Sequence, residues 1–214
     1  MKLSREQIQF INDYLENSDI IHIDIRLEMV DHVASNIEER ISNGDKRDFY
    51  FIFKDYMVKN KSLLLKNNKK FLRAAEIKIL KAIGRTMLSF YGILVFAISF
   101  ASIYLMSINV NSVVFVPYIL SAPIIGFVIF AITYFSGMKF FKLDRYSSIE
   151  RLGFVCGMFF QLFYFVSIFY KNILEQKTIV LALIAGFSMV LLFALAKVYT
   201  QMVAYYRNRF EFVE

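Results

Sequence analysis

The chain has 214 residues, of which 57% are hydrophobic, and it carries a formal net charge of +7. Its length allows one domain or two small ones, and its apolar content is high for a soluble protein. The single cysteine, Cys156, excludes an internal disulfide framework and a zinc site built on cysteines.

Residues 1–60 have the pattern of three short amphipathic helices. The first is predicted over about 4–17, where Ser4 and Gln7 have the spacing of a capping box. The second is predicted over about 24–42, and its apolar positions are Leu27, Val30, Ala34, Ile37 and Ile41. We expect a small helical domain that stays on the side of synthesis, because this segment lacks the apolar stretch of a signal peptide.

Turn and capping residues separate the second predicted helix from the third. Asn43-Gly44 is expected to end the second helix, since glycine suits the left-handed backbone that follows many helices. Asp45 is expected to cap the third helix. The apolar positions of the third helix are Phe49, Ile52, Phe53, Tyr56 and Met57.

A polar cluster on the second predicted helix includes one of the two histidines of the chain. Glu28 and His32 are four residues apart and are therefore neighbours on a helix. We expect a surface that binds a protein partner, formed by Glu28, Asp31, His32, Ser35 and Glu39. The alternative is a metal or acid/base site on Glu28 and His32, completed by His22 or by another subunit. Metal sites need three or four converging ligands, so we expect no metal, no cofactor and no catalytic residue.

The same stretch, RLEMVDHVASNIEERISNGD, resembles the N-terminal helical module of small bacterial integral membrane proteins, sometimes called a HAAS-type domain. The features that carry the resemblance are Glu28, Asp31-His32, Glu38-Glu39 and Asn43-Gly44. It covers about residues 5–60. Such modules are often associated with PadR-like transcription regulators. The resemblance implies a regulatory or sensory membrane protein rather than an enzyme, with a PadR-like regulator as a candidate partner.

Residues 61–85 form a basic amphipathic segment that precedes the first long uncharged run. We expect a juxtamembrane helix that runs into the first membrane span. The cations expected to contact lipid headgroups are Lys69, Lys70, Arg73, Lys78, Lys81 and Arg85. Because this positive charge suits anionic lipid, no direct nucleic-acid partner is expected.

Three runs contain no Asp, Glu, Lys or Arg: 86–138, 152–170 and 178–196. About 20 residues of helix cross the hydrocarbon core of a bilayer, so the first run is long enough for two spans. Four transmembrane helices are predicted at about 86–108, 113–136, 152–170 and 178–199, followed by a tail over 201–214. Barrel strands are the weaker alternative, because these runs do not alternate apolar and polar residues.

The predicted fold is therefore an all-α integral membrane protein, with a cytoplasmic three-helix domain followed by a four-helix transmembrane bundle. Lysine and arginine are concentrated before the first span, in the 137–151 loop and at the C-terminal end. The opposite loops, 109–112 and 171–177, carry only Lys171 and Lys177. The positive-inside rule then places both termini in the cytoplasm of a bacterial inner membrane.

Small residues at four-residue spacing mark two predicted packing faces in the spans. Gly153, Gly157 and Gln161 share one face of the third span, and Ala182 and Gly186 share a face of the fourth. Small residues let helices approach closely, and an amide in hydrocarbon seeks a hydrogen-bond partner. These faces are compatible with packing inside one bundle and with a homodimer.

Two functions remain open from the sequence. The first is a non-enzymatic regulatory, sensory or adaptor protein whose cytoplasmic domain binds a protein partner. The second is a small transporter or permease-like component for a neutral or hydrophobic solute, supported by Gln161 and by the kink expected at Pro123. Apart from Lys197 near the inner end of the fourth, no charged residue lies inside the predicted spans, which counts against a proton-coupled transporter.

Overall fold

The computed structural model describes residues 2–109, 112–173 and 178–210. Those residues form helices and contain no strand, which confirms the all-α prediction and leaves the strand alternative without support. The helices are α1 (Arg5–Glu16), α2 (Ile23–Ser42), α3 (Phe49–Met87), α4 (Phe90–Asn109), α5 (Ser112–Phe140), α6 (Ser147–Ile173) and α7 (Thr178–Phe210).

The chain divides into two compact units. Unit 1 comprises Met1–Ala75 together with the short segment Arg145–Ser147. Unit 2 comprises Glu76–Asp144 and Ser148–Glu214. Because α3 is one continuous helix from Phe49 to Met87, the third predicted helix and the basic segment over 61–85 belong to the same element.

Unit 1 is built on the apolar faces of α1, α2 and the first part of α3. The expected capping box starts α1: Ser4 accepts from the Gln7 backbone, and the Gln7 side chain accepts from the Ser4 backbone. The α2 C-terminus also follows the prediction, because Gly44 has a positive φ of 98°. The core side chains are Ile11, Leu15, Ile20, Ile25, Met29, Val30, Val33, Ala34, Ile37, Ile52, Phe53, Tyr56, Met57 and Leu64.

The buried face of α2 differs in part from the prediction. Leu27 is 38% exposed, whereas Met29 and Val33 are buried at 2% and 0%. At about 100° per residue, the stripe that begins at Leu27 and the one that contains Met29 and Val33 both step by three and four. Val30, Ala34 and Ile37 of the predicted stripe are buried as well, so the core face of α2 is wider than predicted, and the prediction was wrong only for Leu27.

The N-terminus of α3 is capped by Asp48, not by Asp45 as the sequence suggested. The Asp48 carboxylate accepts from the Tyr50 backbone N–H at 2.9 Å. Asp45 instead accepts from Arg47, whose guanidinium also donates to Asp55 at 2.6 Å. This hydrogen bonding from Arg47 lowers the pKa of the Asp45 carboxyl to about 2 and also lowers the pKa of Asp55.

A buried arginine joins α1 to α2 within unit 1. Arg26 is only 6% exposed. Its guanidinium donates to the Asn12 side chain at 2.9 Å and to the Ile20 carbonyl at 3.2 Å. It also lies 3.3 Å from the Glu16 carboxylate. Arg26 therefore satisfies carbonyl groups in the α1–α2 turn while pairing its own charge.

The segment Arg145–Ser147 is held at the N-terminus of α2. The Asp24 carboxylate accepts from the Ser147 hydroxyl at 2.6 Å and from the Ser147 backbone N–H at 3.1 Å. The Ile23 backbone N–H donates to the Arg145 carbonyl at 2.9 Å. Backbone and side chain of α2 therefore both bind this segment, although the two parts of the contact are 123 residues apart in sequence.

Three helices of unit 2 are long and apolar enough to cross a membrane: Val116–Phe140, Ser147–Phe169 and Thr178–Asn208. A fourth candidate span is α4 taken together with α3, and these two helices are bent by 64° at a short break. The structure therefore supports a multi-pass membrane protein with three spans, or four if the bent pair counts as one. Helix α5 contains both Pro117 and Pro123 and is a single helix.

The break between α3 and α4 shows that the basic segment does not continue straight into the first span. Ser89 caps α4, because its hydroxyl accepts from the Gly92 backbone N–H at 3.2 Å and donates to the Thr86 carbonyl at 2.6 Å. Gly92 faces the backbone carbonyls of Thr86 and Met87, where a Cβ atom would collide with them. The missing side chain at this position is what permits the bend.

Helix α7 is the central element of unit 2, since it packs against both α4 and α5. A Cβ atom added at Gly186 would lie 3.2 Å from Phe96 and 3.4 Å from Phe100 of α4. On another side of α7, Leu181 and Ala185 are buried against Ile119 of α5. Close approach between α7 and α4 therefore depends on a residue without a side chain.

Candidate interaction face on helix α2

The five residues proposed to bind a partner lie on the exposed side of α2. Glu28, Asp31, His32, Ser35 and Glu39 are all exposed, and we call them the α2 polar face. The buried residues of α2 include Ile25, Met29, Val33 and Ile37, which belong to the core. At about 100° per residue, the two sets point in roughly opposite directions around the helix axis. The polar face is thus held rigidly by the packing behind it.

The α2 polar face is acidic. It contains three carboxylates, Glu28, Asp31 and Glu39, together with one histidine and no lysine or arginine. The neighbouring Glu38 is used within the unit, because it accepts from the Leu3 backbone N–H at 2.8 Å. Arg40, the nearest cation in sequence, lies over the Tyr56 ring at 5.6 Å from its centroid. The α2 polar face therefore carries net negative charge.

His32 has a neighbour that the sequence analysis did not include. The Asn36 amide nitrogen lies 2.8 Å from His32 Nδ1 and donates to the His32 carbonyl at 2.8 Å. Because an amide nitrogen only donates, Nδ1 accepts and the proton of the neutral ring is on Nε2. The four-residue spacing between His32 and Asn36 is the feature of the sequence that could have predicted this contact, because residues four apart are neighbours on a helix.

The alternative metal site does not gain its third ligand from His22. His22 is buried at the N-cap of α2, ten residues before His32. Ten residues of helix extend about 15 Å, so the two rings cannot share a metal ion. Within the residues that the structure describes, no three His, Cys, Asp or Glu side chains are grouped closely enough to hold a metal.

The six cations proposed to contact lipid headgroups are all on α3 and are all exposed. They are Lys69, Lys70, Arg73, Lys78, Lys81 and Arg85. Ile79 and Ile83, on the same helix, are buried in unit 2. The amphipathic pattern of the segment is therefore present in the structure, and the contact with lipid remains a prediction.

The small residues of the spans occupy different environments. Gly186 and Ala182 are buried. Gly153 lies against Tyr134, because a Cβ atom added at Gly153 would be 2.7 Å from the Tyr134 hydroxyl. That hydroxyl donates to the Ile149 carbonyl at 2.7 Å. Gly157 has no heavy atom within 4 Å of such a Cβ, and Gln161 is exposed.

An apolar cavity of about 570 Å³ lies between α5 and α6 in unit 2. Both Gly153 and Gly157 line it, together with Cys156 and aromatic side chains that include Phe127 and Phe160. The sequence indicated small residues at these positions but not a cavity. Gly157 faces open space, so its missing side chain leaves volume in the cavity, whereas the space beside Gly153 is occupied by Tyr134.

No protein-family model, no curated protein and no solved structure matches this chain.

Proposed function

We propose that this chain is a non-enzymatic regulatory or adaptor protein of a bacterial inner membrane, whose N-terminal helical unit binds a protein partner through the α2 polar face. One observation carries the proposal. All five polar residues selected from the sequence are exposed on one side of α2, opposite the side that packs into the core. None of the five side chains belongs to the core of unit 1, and we infer binding from their arrangement.

The proposed orientation places both termini in the cytoplasm. Its support is the distribution of lysine and arginine in the sequence, which favours the side that carries the flank before the first span. The exposed cations of α3 suit the anionic headgroups of the cytoplasmic leaflet. In this arrangement unit 1 faces soluble proteins, and the α2 polar face is accessible to them.

The partner has a basic surface. The α2 polar face supplies three carboxylates and a histidine that can donate through Nε2. Lysine or arginine side chains on the partner would pair with these carboxylates at the rim of an interface. A PadR-like regulator, implied by the resemblance of residues 5–60, is the first candidate to test.

The proposal is tested by affinity capture of the full chain from gently solubilised membranes after crosslinking in cells. We expect Glu28→Ala, His32→Ala to lose a soluble partner that the intact protein captures, because two of the five side chains of the face are removed. The control is Lys59→Ala, Ser62→Ala, at two exposed positions of α3. Equal capture by the intact protein and the Glu28→Ala, His32→Ala variant would remove this face from the proposal.

Metal content is read on the same purified samples. Binding of a partner through the α2 polar face requires no bound metal. Stoichiometric metal in the intact protein that is absent from Glu28→Ala, His32→Ala would instead support the alternative site on these two side chains.

A second candidate function is supported by the cavity between α5 and α6. Its volume of about 570 Å³ and its apolar lining suit a neutral or hydrophobic solute, as a small permease-like component would require. Uptake or efflux by reconstituted vesicles tests it. Transport that is lost in Gly157→Phe, where the new ring enters the cavity, would favour this function over the adaptor.

A further inference from the structure

A second surface of unit 1 lies between α1 and α3, away from the α2 polar face. It is a groove of about 370 Å³. Four aromatic rings and two lysines line it, and we call this surface the aromatic groove: Phe10, Tyr14, Tyr50, Phe53, Lys54 and Lys61. Phe53 is the buried floor, at 3% exposure, and its ring contacts Phe10 and Tyr14 edge-to-face with centroids 5.2 and 5.1 Å away.

The aromatic groove leaves large apolar side chains in contact with water. Phe10 is 40% exposed, Tyr50 is 51% exposed and Val58, which also lines the groove, is 78% exposed. Clustered aromatic exposure of this kind is enriched where proteins bind each other. Burying these groups under a partner would contribute favourable free energy without any rearrangement of the core.

Charge on the groove indicates the chemistry of its occupant. Lys54 and Lys61 are seven residues apart on α3, so they are separated by about 10.5 Å, or two helical turns. In the described part of the chain neither lysine has an ion-pair partner, and Lys61 lies 5.4 Å from the centroid of the Tyr14 ring. Among the described residues that line the groove there is no aspartate or glutamate, and Asp55, next to Lys54 in sequence, pairs with Arg47.

We propose that the aromatic groove binds an amphipathic helical segment of a partner protein. Apolar side chains of that segment pack on the rings, and acidic side chains two turns apart pair with Lys54 and Lys61. A helix presents acidic residues at this spacing on one face, which matches the two lysines along α3. A flat bilayer surface fills a concave groove less well, so we favour a protein segment over anionic lipid.

Because the chain contains no tryptophan, a single introduced tryptophan is a specific fluorescence reporter. Val58→Trp places a single indole at an exposed position of the groove in the full chain, held in nanodiscs of zwitterionic lipid. The probe is a helical peptide with leucines on one face and two glutamates seven residues apart. Binding is expected to shift the indole emission to the blue, and added salt is expected to weaken it.

Charge reversal decides whether the lysines set the specificity. Lys54→Glu, Lys61→Glu is expected to weaken binding of the glutamate peptide by at least about tenfold, because like charges then face each other. The same variant is expected to bind a peptide with lysines in place of the glutamates. The matched control is Lys59→Glu, Lys66→Glu, two exposed lysines with the same spacing on α3 that do not line the groove.

Peptide binding in the aromatic groove does not involve the α2 polar face, so Glu28→Ala, His32→Ala is expected to bind the peptide as tightly as the intact protein. Anisotropy of a labelled peptide repeats the titration with unaltered Val58, in case the indole disturbs the groove. Absence of binding in both assays would overturn the proposal, as would equal affinity for the two peptides. Quenching of the indole by brominated lipid chains in anionic nanodiscs, without peptide, would assign the groove to the membrane instead.

Discussion

The two units of this protein satisfy their polar side chains in different ways. In unit 1, polar side chains reach residues far along the chain, as Arg26 does to Asn12 and Asp24 does to Ser147. In unit 2, the hydroxyls of Tyr134 and Tyr199 donate to carbonyls of other helices, but five serine and threonine hydroxyls in the spans bond to their own helix. These short-range donors are Ser121, Thr133, Ser167, Ser188 and Thr200, each of which donates to a carbonyl three or four residues earlier.

This difference indicates what holds the helices together in each unit. In unit 1, removing one partner of a buried hydrogen bond between helices costs free energy, because the remaining buried group is left unsatisfied. In unit 2 a hydroxyl that bonds to its own helix contributes little to the contact between helices. Packing of small residues against aromatic rings, such as Gly186 against Phe96, is expected to decide those contacts.

The largest effect is expected for Arg26→Ala in unit 1. The substitution removes charge-assisted hydrogen bonds to Asn12 and Ile20 and leaves a buried carbonyl without its donor. We expect a loss of about 2–3 kcal/mol in the stability of unit 1, measured as faster amide hydrogen exchange in α1 and α2. Ser188→Ala in α7 is the counterpart from unit 2, and its effect is expected to be within about 0.5 kcal/mol. Equal effects of the two changes would remove the contrast between the units.

The next effect is expected for Gly186→Leu in unit 2. A side chain at this position meets Phe96 and Phe100, and overpacking of this kind costs about 1–3 kcal/mol. Thermal unfolding of the full chain in detergent measures it. The control is Gly157→Leu, because the added side chain there meets open space. A stability loss that is as large for Gly157→Leu would show that small residues do not define the α4–α7 contact.

A smaller effect is expected for Asp24→Ala. The change removes both acceptors of Ser147 but leaves the bond from Ile23 to the Arg145 carbonyl. We expect the free energy of local opening at Ser147 to fall by about 1.5 kcal/mol, which corresponds to about tenfold faster exchange of the Ser147 amide hydrogen. Ser147→Ala keeps the backbone N–H bond and is expected to show a smaller change. Unchanged exchange in Asp24→Ala would mean that the backbone bond alone holds the segment.

The smallest effect concerns the exposed carboxylates around Arg47. The pKa of Asp45 is lowered from 3.8 to about 2, so its contribution to stability is present above pH 4 and is lost as the pH falls through about 2. In Arg47→Met we expect the pKa of both Asp45 and Asp55 to rise toward their usual values. A pH titration that records the NMR chemical shifts of the two carboxyl carbons measures this change. Carboxyl groups that titrate identically in the intact protein and in Arg47→Met would contradict this assignment.

Local signals predicted much of the fold. The capping box at Ser4 and Gln7 depends only on neighbours in sequence, and so does the left-handed turn at Gly44. Length and composition were enough to locate the apolar helices of unit 2. Hydroxyl groups that bond to their own helix also depend only on local geometry, since Ser121 and Thr133 have carbonyls within reach in any helix.

The features that could not be predicted depend on tertiary contacts. Leu27 and Met29 fit equally regular stripes, and only packing against other helices distinguishes them. Asp45 and Asp48 are both suitable caps, and the pairing of Asp45 with Arg47 decides between them. The bend at Ser89 and Gly92 was missed because neither residue is unusual in an apolar helix, and it is the approach of the Thr86 and Met87 carbonyls that requires the glycine.

The candidate site likewise has features that the local sequence predicts and features that depend on tertiary contacts. Exposure of Glu28, Asp31, His32, Ser35 and Glu39 followed from helical periodicity alone. The aromatic groove did not, because its walls come from two helices whose pairing is not encoded in either pattern. Tyr50 lies outside the apolar positions predicted for the third helix, which is a local sign of an exposed aromatic surface.

The central claim is that unit 1 binds a soluble protein through the α2 polar face, and photocrosslinking in cells tests it most directly. A photoreactive amino acid replaces Ser35 on that face in the full chain, and replaces Ser62 on α3 in a parallel sample. We predict that the Ser35 position forms a discrete crosslink to a soluble protein and that Glu28→Ala, His32→Ala abolishes it. A crosslink of equal strength from Ser62, or none from Ser35, would contradict the claim.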